Sequence, residues 1–160
     1  MGFKLTNTEE DYKNLTVVND KEQVITTYTN VENLFANGLK FEACISQAGI
    51  LEAVCYYYLI LEKHQGSLKF DSDSERKIKT NDLTFGRTKT LLITHKIVTD
   101  DKQVQMLKDY VDKRNLLTHR LIAEMKVIDF DEFFKNGNEL LFSMWRMILK
   151  STEEIRNKVN

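Results

Sequence analysis

The stretch LKFEACISQAGILEAVCYYYLILEKHQ, residues 39–65, indicates the fold class. Its apolar residues recur at helical spacing, and Gly66 follows it as a C-terminal cap. The spaced apolar positions are Phe41, Ile45, Ala48, Leu51, Cys55 and Leu59. Because the stretch is apolar on nearly every side, we expect it to form a central and deeply buried helix.

The composition favours one helical domain. The chain has 160 residues, of which 42% are hydrophobic, and it contains no proline. This length suits a single domain, and an all-β protein would be expected to use several prolines in its turns. The sequence therefore predicts an all-α fold over residues 1–160, an up-and-down bundle of four to five helices.

Capping and stop signals place the other helices. Residues 1–19 have no sustained apolar pattern, and we expect them to be weakly ordered. Residues 66–81 are polar, and we predict that they form an exposed loop. The remaining helices are expected at 20–37, 83–98 and 101–125, followed by a last helix with Asn136-Gly137-Asn138 as a candidate break.

Charge, cysteine spacing and the first residues argue against three classes: strongly basic DNA-binding proteins, secreted proteins and membrane proteins. The net charge of −1 argues against a strongly basic DNA-binding protein. Cys44 and Cys55 lie about 16 Å apart along one predicted helix, too far for a disulfide. The first residues lack the apolar core of a secretory signal, and Ile50–Leu61 is too short to cross a bilayer. We therefore expect a reduced, cytoplasmic protein.

A polar interruption marks the helix predicted at 101–125. Its stripe alternates by three and four residues, and two middle positions are polar: Val104, Leu107, Val111, Arg114, Thr118, Leu121 and Met125. Asn115 and His119 lie beside the two polar positions and complete a cluster. Since an unpaired buried Arg is strongly unfavourable, the cluster should meet partners across an interface or open onto a cleft.

Two interpretations of this cluster stay open on spacing alone. In the structural interpretation, His119 is a surface or satisfied residue and Arg114 pairs with a carboxylate such as Glu52. In the functional interpretation, Arg114 binds an anionic phosphate and His119 exchanges protons near neutral pH. Glu52 needs a partner because it lies within the apolar helix, and Arg114 or Arg120 can supply one. The pair would be either a structural ion pair or an orienting contact.

The segment Arg114-Asn115-Leu116-Leu117-Thr118-His119 has the form R-x4-H with a polar residue directly after the Arg. It resembles the HEPN superfamily, whose ribonuclease members carry an R-x4-6-H motif of this form. The long helix from Leu39, the helix start Leu83-Thr84-Phe85-Gly86 and the lead-in Asp109-Tyr110-Val111-Asp112-Lys113 also look like that family. The resemblance covers roughly residues 35–155.

The resemblance implies a HEPN-like homodimer around the motif helix, with both copies of the motif lining one cleft. Arg114 and His119 lie about 140° apart around an ideal helix. A two-fold axis near Asn115 and Thr118 would let residues of both protomers converge on one phosphate.

The activity implied by the resemblance is metal-independent RNA cleavage with no cofactor, in which the 2′-hydroxyl attacks the adjacent phosphorus and leaves a 2′,3′-cyclic phosphate. His119 would act as the base, and Arg114 would stabilise charge on the phosphoryl oxygens. Asn115 would orient substrate or His119, and Thr118 would hydrogen-bond to the phosphate.

The same resemblance suggests a biological setting, because small ribonucleases of this family often act as toxins or in defence against phage and plasmids. Such an enzyme would be restrained by an inhibitory partner protein, an antitoxin. Two alternatives remain: a non-catalytic helical binding or scaffold protein, and a domain that binds a nucleotide without cleaving RNA. Either would keep the motif as a hydrogen-bond network at an interface.

Other potential sites are weaker. His64, His95 and His119 lie on separate predicted helices, and no Cys or His spacing fits a zinc site, so no metal is expected.

Positive charge is concentrated in and after the predicted loop, where it could hold an RNA backbone, although charged runs are most often solvated surface. The residues of this basic patch are Arg76, Lys77, Lys79, Arg87 and Lys89.

Overall fold

The structure, a computed structural model, describes residues 2–3, 9–19, 21–66, 68–119 and 128–159. This part of the chain is mostly helical, as predicted. Its α-helices are α1 (Tyr28–Ala36), α2 (Lys40–Gly66), α3 (Ser72–Lys79), α4 (Phe85–Thr94), α5 (Asp101–His119) and α6 (Phe130–Val159). A 3₁₀ helix (Glu9–Asn14) and three short strands, β1 (Gly2–Phe3), β2 (Thr16–Val18) and β3 (Val24–Thr27), lie before them.

Helix α2 lies at the centre of the molecule, as its sequence predicted. It packs against α1, α4, α5 and α6, and both cysteines on it are buried free thiols. By length and hydropathy α2 would also qualify as a membrane span. However, 56% of its most apolar window is buried inside the fold, and the core helix of a soluble protein passes the same test.

The amino-terminal region differs from the prediction. Residues 24–27, expected to be helical, form β3, and β1, β2 and β3 make one antiparallel sheet in that order. All four β3 residues, Val24-Ile25-Thr26-Thr27, are β-branched, which favours a strand. Thr27 then caps α1 by accepting from the Asn30 amide at 3.1 Å. The described parts of 1–19 contain β1, the 3₁₀ helix and β2.

The predicted loop at 66–81 is also corrected, because residues 72–79 form α3. Asp71 caps this helix, accepting from the Ser74 amide at 3.0 Å and from the Ser74 hydroxyl at 2.7 Å. Acidic residues in its first turn and basic residues in its last turn suit the helix dipole. The capping residue Asp71 and the order of charges are visible in the sequence, but α3 has no apolar stripe from which a helix would be predicted.

Helix α6 runs without a break through Asn136-Gly137-Asn138. Gln47 of α2 lies against this point, where its amide nitrogen donates to the Phe134 carbonyl at 2.9 Å and to Asn138 Oδ1 at 2.7 Å. A Cβ on Gly137 would overlap the Gln47 side chain. Gly137 therefore permits a close approach of α2 and α6, and the sequence signal for a break was misleading.

Helices α4 and α5 have the starts that the sequence predicted. The Thr84 hydroxyl accepts from the Arg87 amide at 3.3 Å, and Asp100 accepts from the Gln103 amide at 2.9 Å. Helix α4 ends at Thr94, earlier than predicted, and Lys96 just beyond it has a positive φ of 55°. The predicted continuation of α5 through 120–125 lies outside the described residues.

Candidate functional site on helix α5

Helix α5 packs against α4 and α6 and carries the whole predicted motif. Its core side is formed by Leu107, Tyr110, Val111 and Leu117. The predicted stripe therefore follows the inward side of α5 as far as Arg114. One turn later Leu117 is the buried residue, although the predicted spacing had assigned Thr118 to the stripe. The Thr118 side chain is exposed, and its hydroxyl donates within the helix to the carbonyls of Arg114 and Asn115, at 3.1 and 3.2 Å.

Arg114 pairs with Glu52 of α2. Its guanidinium donates to Glu52 Oε2 at 3.1 Å, and the two side chains are 25% and 26% exposed. A second guanidinium nitrogen donates to Asn115 Oδ1 at 3.3 Å. Of the two partners predicted for Glu52, Arg114 is confirmed, while Arg120 lies outside the described residues.

Glu52 also lies at the beginning of α4. Burial raises the pKa of its carboxyl, while the Arg114 guanidinium and a hydrogen bond from the Phe85 backbone amide act in the opposite direction. Phe85 is the first residue of α4, where backbone amides and the helix dipole favour a negative charge. One carboxylate therefore links α2, α4 and α5.

His119 is exposed at the end of the described part of α5. No hydrogen bond joins it to Arg114 within the chain, as expected for two side chains that leave the helix in different directions. Arg114 and Asn115 are half-buried and linked to each other, while Thr118 and His119 face solvent. The chain thus presents a guanidinium held by Glu52 and an accessible imidazole on the same helix.

No family model, no curated protein and no solved structure matches this chain. The HEPN resemblance is therefore carried by the motif residues and their helical context.

The predicted basic patch is divided between two places. On α3, Arg76 and Lys77 both pair with Asp73, at 2.7 and 2.9 Å. The hydrogen bond from Lys63 is the main cause that lowers the pKa of Glu75, and the positive charge of Lys79 adds a smaller contribution. These three cations balance carboxylates on their own helix. Arg76 and Lys77 therefore have ion-pair partners within their own helix.

Arg87 of α4 fastens α3 to α4. It donates to Asp71 Oδ2 at 2.6 Å and, through two of its nitrogens, to the Ser74 hydroxyl at 2.9 and 3.1 Å. Hydrogen bonds from the Ser74 hydroxyl and amide, together with Arg87, lower the pKa of Asp71 to about 2. Arg87 therefore has a clear structural role.

Lys89 is the one member of the patch that the structure joins to the motif helix. Its ammonium lies 3.4 Å from Asp112 Oδ1. Asp112, Asn115 and His119 follow at intervals of three and four residues, so they share one face of α5. Lys108 lies one turn before Asp112 and is exposed on this face. It was not among the predicted site residues, although it lies four residues before Asp112.

Within the described ranges, no group of three or more His, Cys, Asp and Glu side chains is arranged to hold a metal ion. The described side chains of the motif supply a guanidinium, an amide, a hydroxyl and an imidazole.

Proposed function

We propose that the chain is a HEPN-like, metal-independent endoribonuclease that acts as a homodimer in the cytoplasm. The observation that supports this most is that one helix carries both Arg114, which is held by Glu52, and an exposed His119. A guanidinium has five N–H donors, and contacts with described residues engage two of its nitrogens. The other donors are suited to the oxygens of a phosphate.

A dimer reconciles the directions of the two side chains. Within one protomer, Arg114 faces Glu52 while His119 faces solvent. If two α5 helices met across a two-fold axis near Asn115 and Thr118, the exposed imidazoles of both protomers would approach the same phosphate. The guanidiniums would then flank it from the α2 side of each protomer.

The proposed reaction is an internal transesterification. His119 of one protomer takes the proton from the ribose 2′-hydroxyl as the 2′-oxygen bonds to phosphorus. The bond from phosphorus to the 5′-oxygen breaks, and the leaving oxygen takes a proton from the imidazolium of the second protomer's His119. Arg114 stabilises the charge that develops on the phosphoryl oxygens, and a 2′,3′-cyclic phosphate remains.

Purified protein incubated with RNA in EDTA tests the proposal. We expect fragments with 2′,3′-cyclic phosphate ends and no cleavage of DNA, which lacks the nucleophile. His119→Ala should abolish cleavage while the dimer and its melting temperature stay nearly unchanged, because the side chain is exposed. The matched control is His64→Ala, which changes an exposed histidine of α2 outside the motif and should cleave normally. Intact RNA in all samples would refute the proposal.

The non-catalytic alternative also has an observation in its favour. The Glu52–Arg114 pair connects helices within one chain and so accounts for Arg114 without any substrate. In that case the parent protein would not cleave RNA, and His119→Ala would weaken the dimer. Equilibrium binding of mononucleotides would identify the third alternative, a nucleotide-binding domain.

A toxin or defence role is the setting we propose for this activity. Expression of the parent protein in cells should inhibit growth, and His119→Ala should relieve that inhibition. An inhibitory partner protein would then bind the active dimer and protect the cell.

A further inference from the structure

The face of α5 that carries His119 also carries charges that the proposed reaction does not use. Lys108 and Asp112 lie on this face about three and two turns before His119, and both are exposed. Lys89 of α4 reaches the same face through Asp112. Lys108 has no ion-pair partner in the part of the chain that the structure describes.

The two side chains of the Lys89–Asp112 contact differ in their exposure to solvent. The Lys89 side chain is 19% exposed, whereas that of Asp112 is 70% exposed. Their separation of 3.4 Å exceeds the 2.9 Å of the Lys77–Asp73 pair. Exposed ion pairs contribute little, so a phosphate can replace Asp112 while the packed stem of Lys89 keeps its place.

We propose that Lys89 and Lys108 form a second phosphate-binding position, which holds the RNA backbone on the side of the motif toward the start of α5. This inference rests on the proposed function and adds a substrate requirement to it. At 1.5 Å per residue, Asp112 and Lys108 lie about 10 and 16 Å along the helix from His119. A dinucleotide at the motif would not reach both lysines, whereas an oligonucleotide would.

The test measures binding separately from cleavage. A 2′-O-methyl RNA oligonucleotide cannot be cleaved, because its nucleophile is blocked, and its Kd can be measured over a range of salt concentrations. Each phosphate contact on a single strand contributes a slope of about 0.7 in log Kd against log salt. The double variant Lys89→Gln/Lys108→Gln removes this one phosphate position and should therefore lower the slope by about 0.7. Lys150→Gln, which changes an exposed lysine of α6 outside the predicted sites, is the matched control and should leave the slope unchanged. Asp112→Asn should tighten binding.

The outcomes separate this inference from the proposed function. A reduced slope supports the second phosphate position, even if the parent protein fails to cleave unmodified RNA. An unchanged slope in a protein that cleaves RNA overturns the position and leaves the activity standing. If the parent neither binds nor cleaves RNA, both proposals fall.

Discussion

The Glu52 carboxylate of α2 accepts a hydrogen bond from the Arg114 guanidinium of α5 at 3.1 Å, in a place where each side chain is only about one-quarter exposed. Because Glu52 is also bonded by the first amide of α4, it fixes the guanidinium relative to two other helices. In the proposed reaction a cation held in this way would be oriented before the phosphate binds, which is the condition for efficient stabilisation of a transition state.

Glu52→Ala should lower kcat for RNA cleavage by about 10- to 100-fold, since a misplaced catalytic group costs on that order. Glu52→Gln should recover part of this loss, because its amide oxygen still accepts a hydrogen bond from Arg114. Glu42→Ala, which changes an exposed carboxylate on the same helix, is the control. Equal kcat values in all of these variants would contradict an orienting role.

Arg114→Ala should lower the free energy of unfolding by about 1–3 kcal/mol, because it leaves the Glu52 carboxylate without its cation. This is less than the loss for a fully buried pair, since solvent screens a pair that is one-quarter exposed. Urea unfolding measures the effect. The double variant Glu52→Gln/Arg114→Ala should lose less than the sum of the single changes, and strict additivity would argue against direct coupling.

The raised pKa of Glu52 predicts how stability changes with pH. Between the unfolded and folded pKa values the native protein keeps a proton that the unfolded chain has released, so this group makes the protein less stable as pH rises above 4.5. Glu52→Gln removes the effect. Its stability relative to the parent should therefore increase from about pH 4 to about pH 7 in urea unfolding. A pH-independent difference would contradict the assignment.

Gly137→Ala should destabilise the protein by about 2–4 kcal/mol, because the new methyl group displaces Gln47 and breaks its buried hydrogen bonds. Gly49→Ala is the matched control. It lies within α2 with no heavy atom within 4 Å of the added Cβ, and should stabilise the helix by about 0.5–1 kcal/mol. Similar losses in both variants would show that the Gln47 contact is unimportant.

Asp71 gives an acid-dependent prediction of the opposite sign. Its pKa is lowered from 3.8 to about 2 in the folded protein, so its contribution to stability is present above 3.8 and is lost as the pH falls toward 2. Asp71→Asn should therefore be less stable than the parent near neutral pH, and the gap should narrow in acid. Thermal unfolding over that pH range measures it, and a constant gap would be inconsistent with the Ser74 and Arg87 contacts.

The sequence was most informative where burial and local signals agreed. The apolar period predicted α2, the capping signal before residue 101 predicted the start of α5, and the isolated Glu52 predicted a pairing for which Arg114 was one of two candidates. Each of these features depends on residues close in the chain or on the cost of burying a charge. The role of the motif in RNA cleavage stays a prediction.

The misleading signals came from features that depend on distant partners. Gly137 resembled a helix break because nothing in the sequence shows that Gln47 occupies the space beside it. Helix α3 was missed since its contacts to Lys63 and Arg87 are polar and lie on other helices. Thr118 was assigned to the stripe because the spacing rule was extended to a turn of the helix where Leu117 faces the core instead.

The way in which α3 is attached has a consequence for the dynamics of the molecule. Its one fully buried residue is Ser74, and its links to α2 and α4 include the Lys63–Glu75 and Arg87–Asp71 ion pairs. Added salt weakens such links far more than it weakens apolar packing. In hydrogen–deuterium exchange the amides of α3 should therefore open first and accelerate with ionic strength, while those of α2 exchange only upon global unfolding.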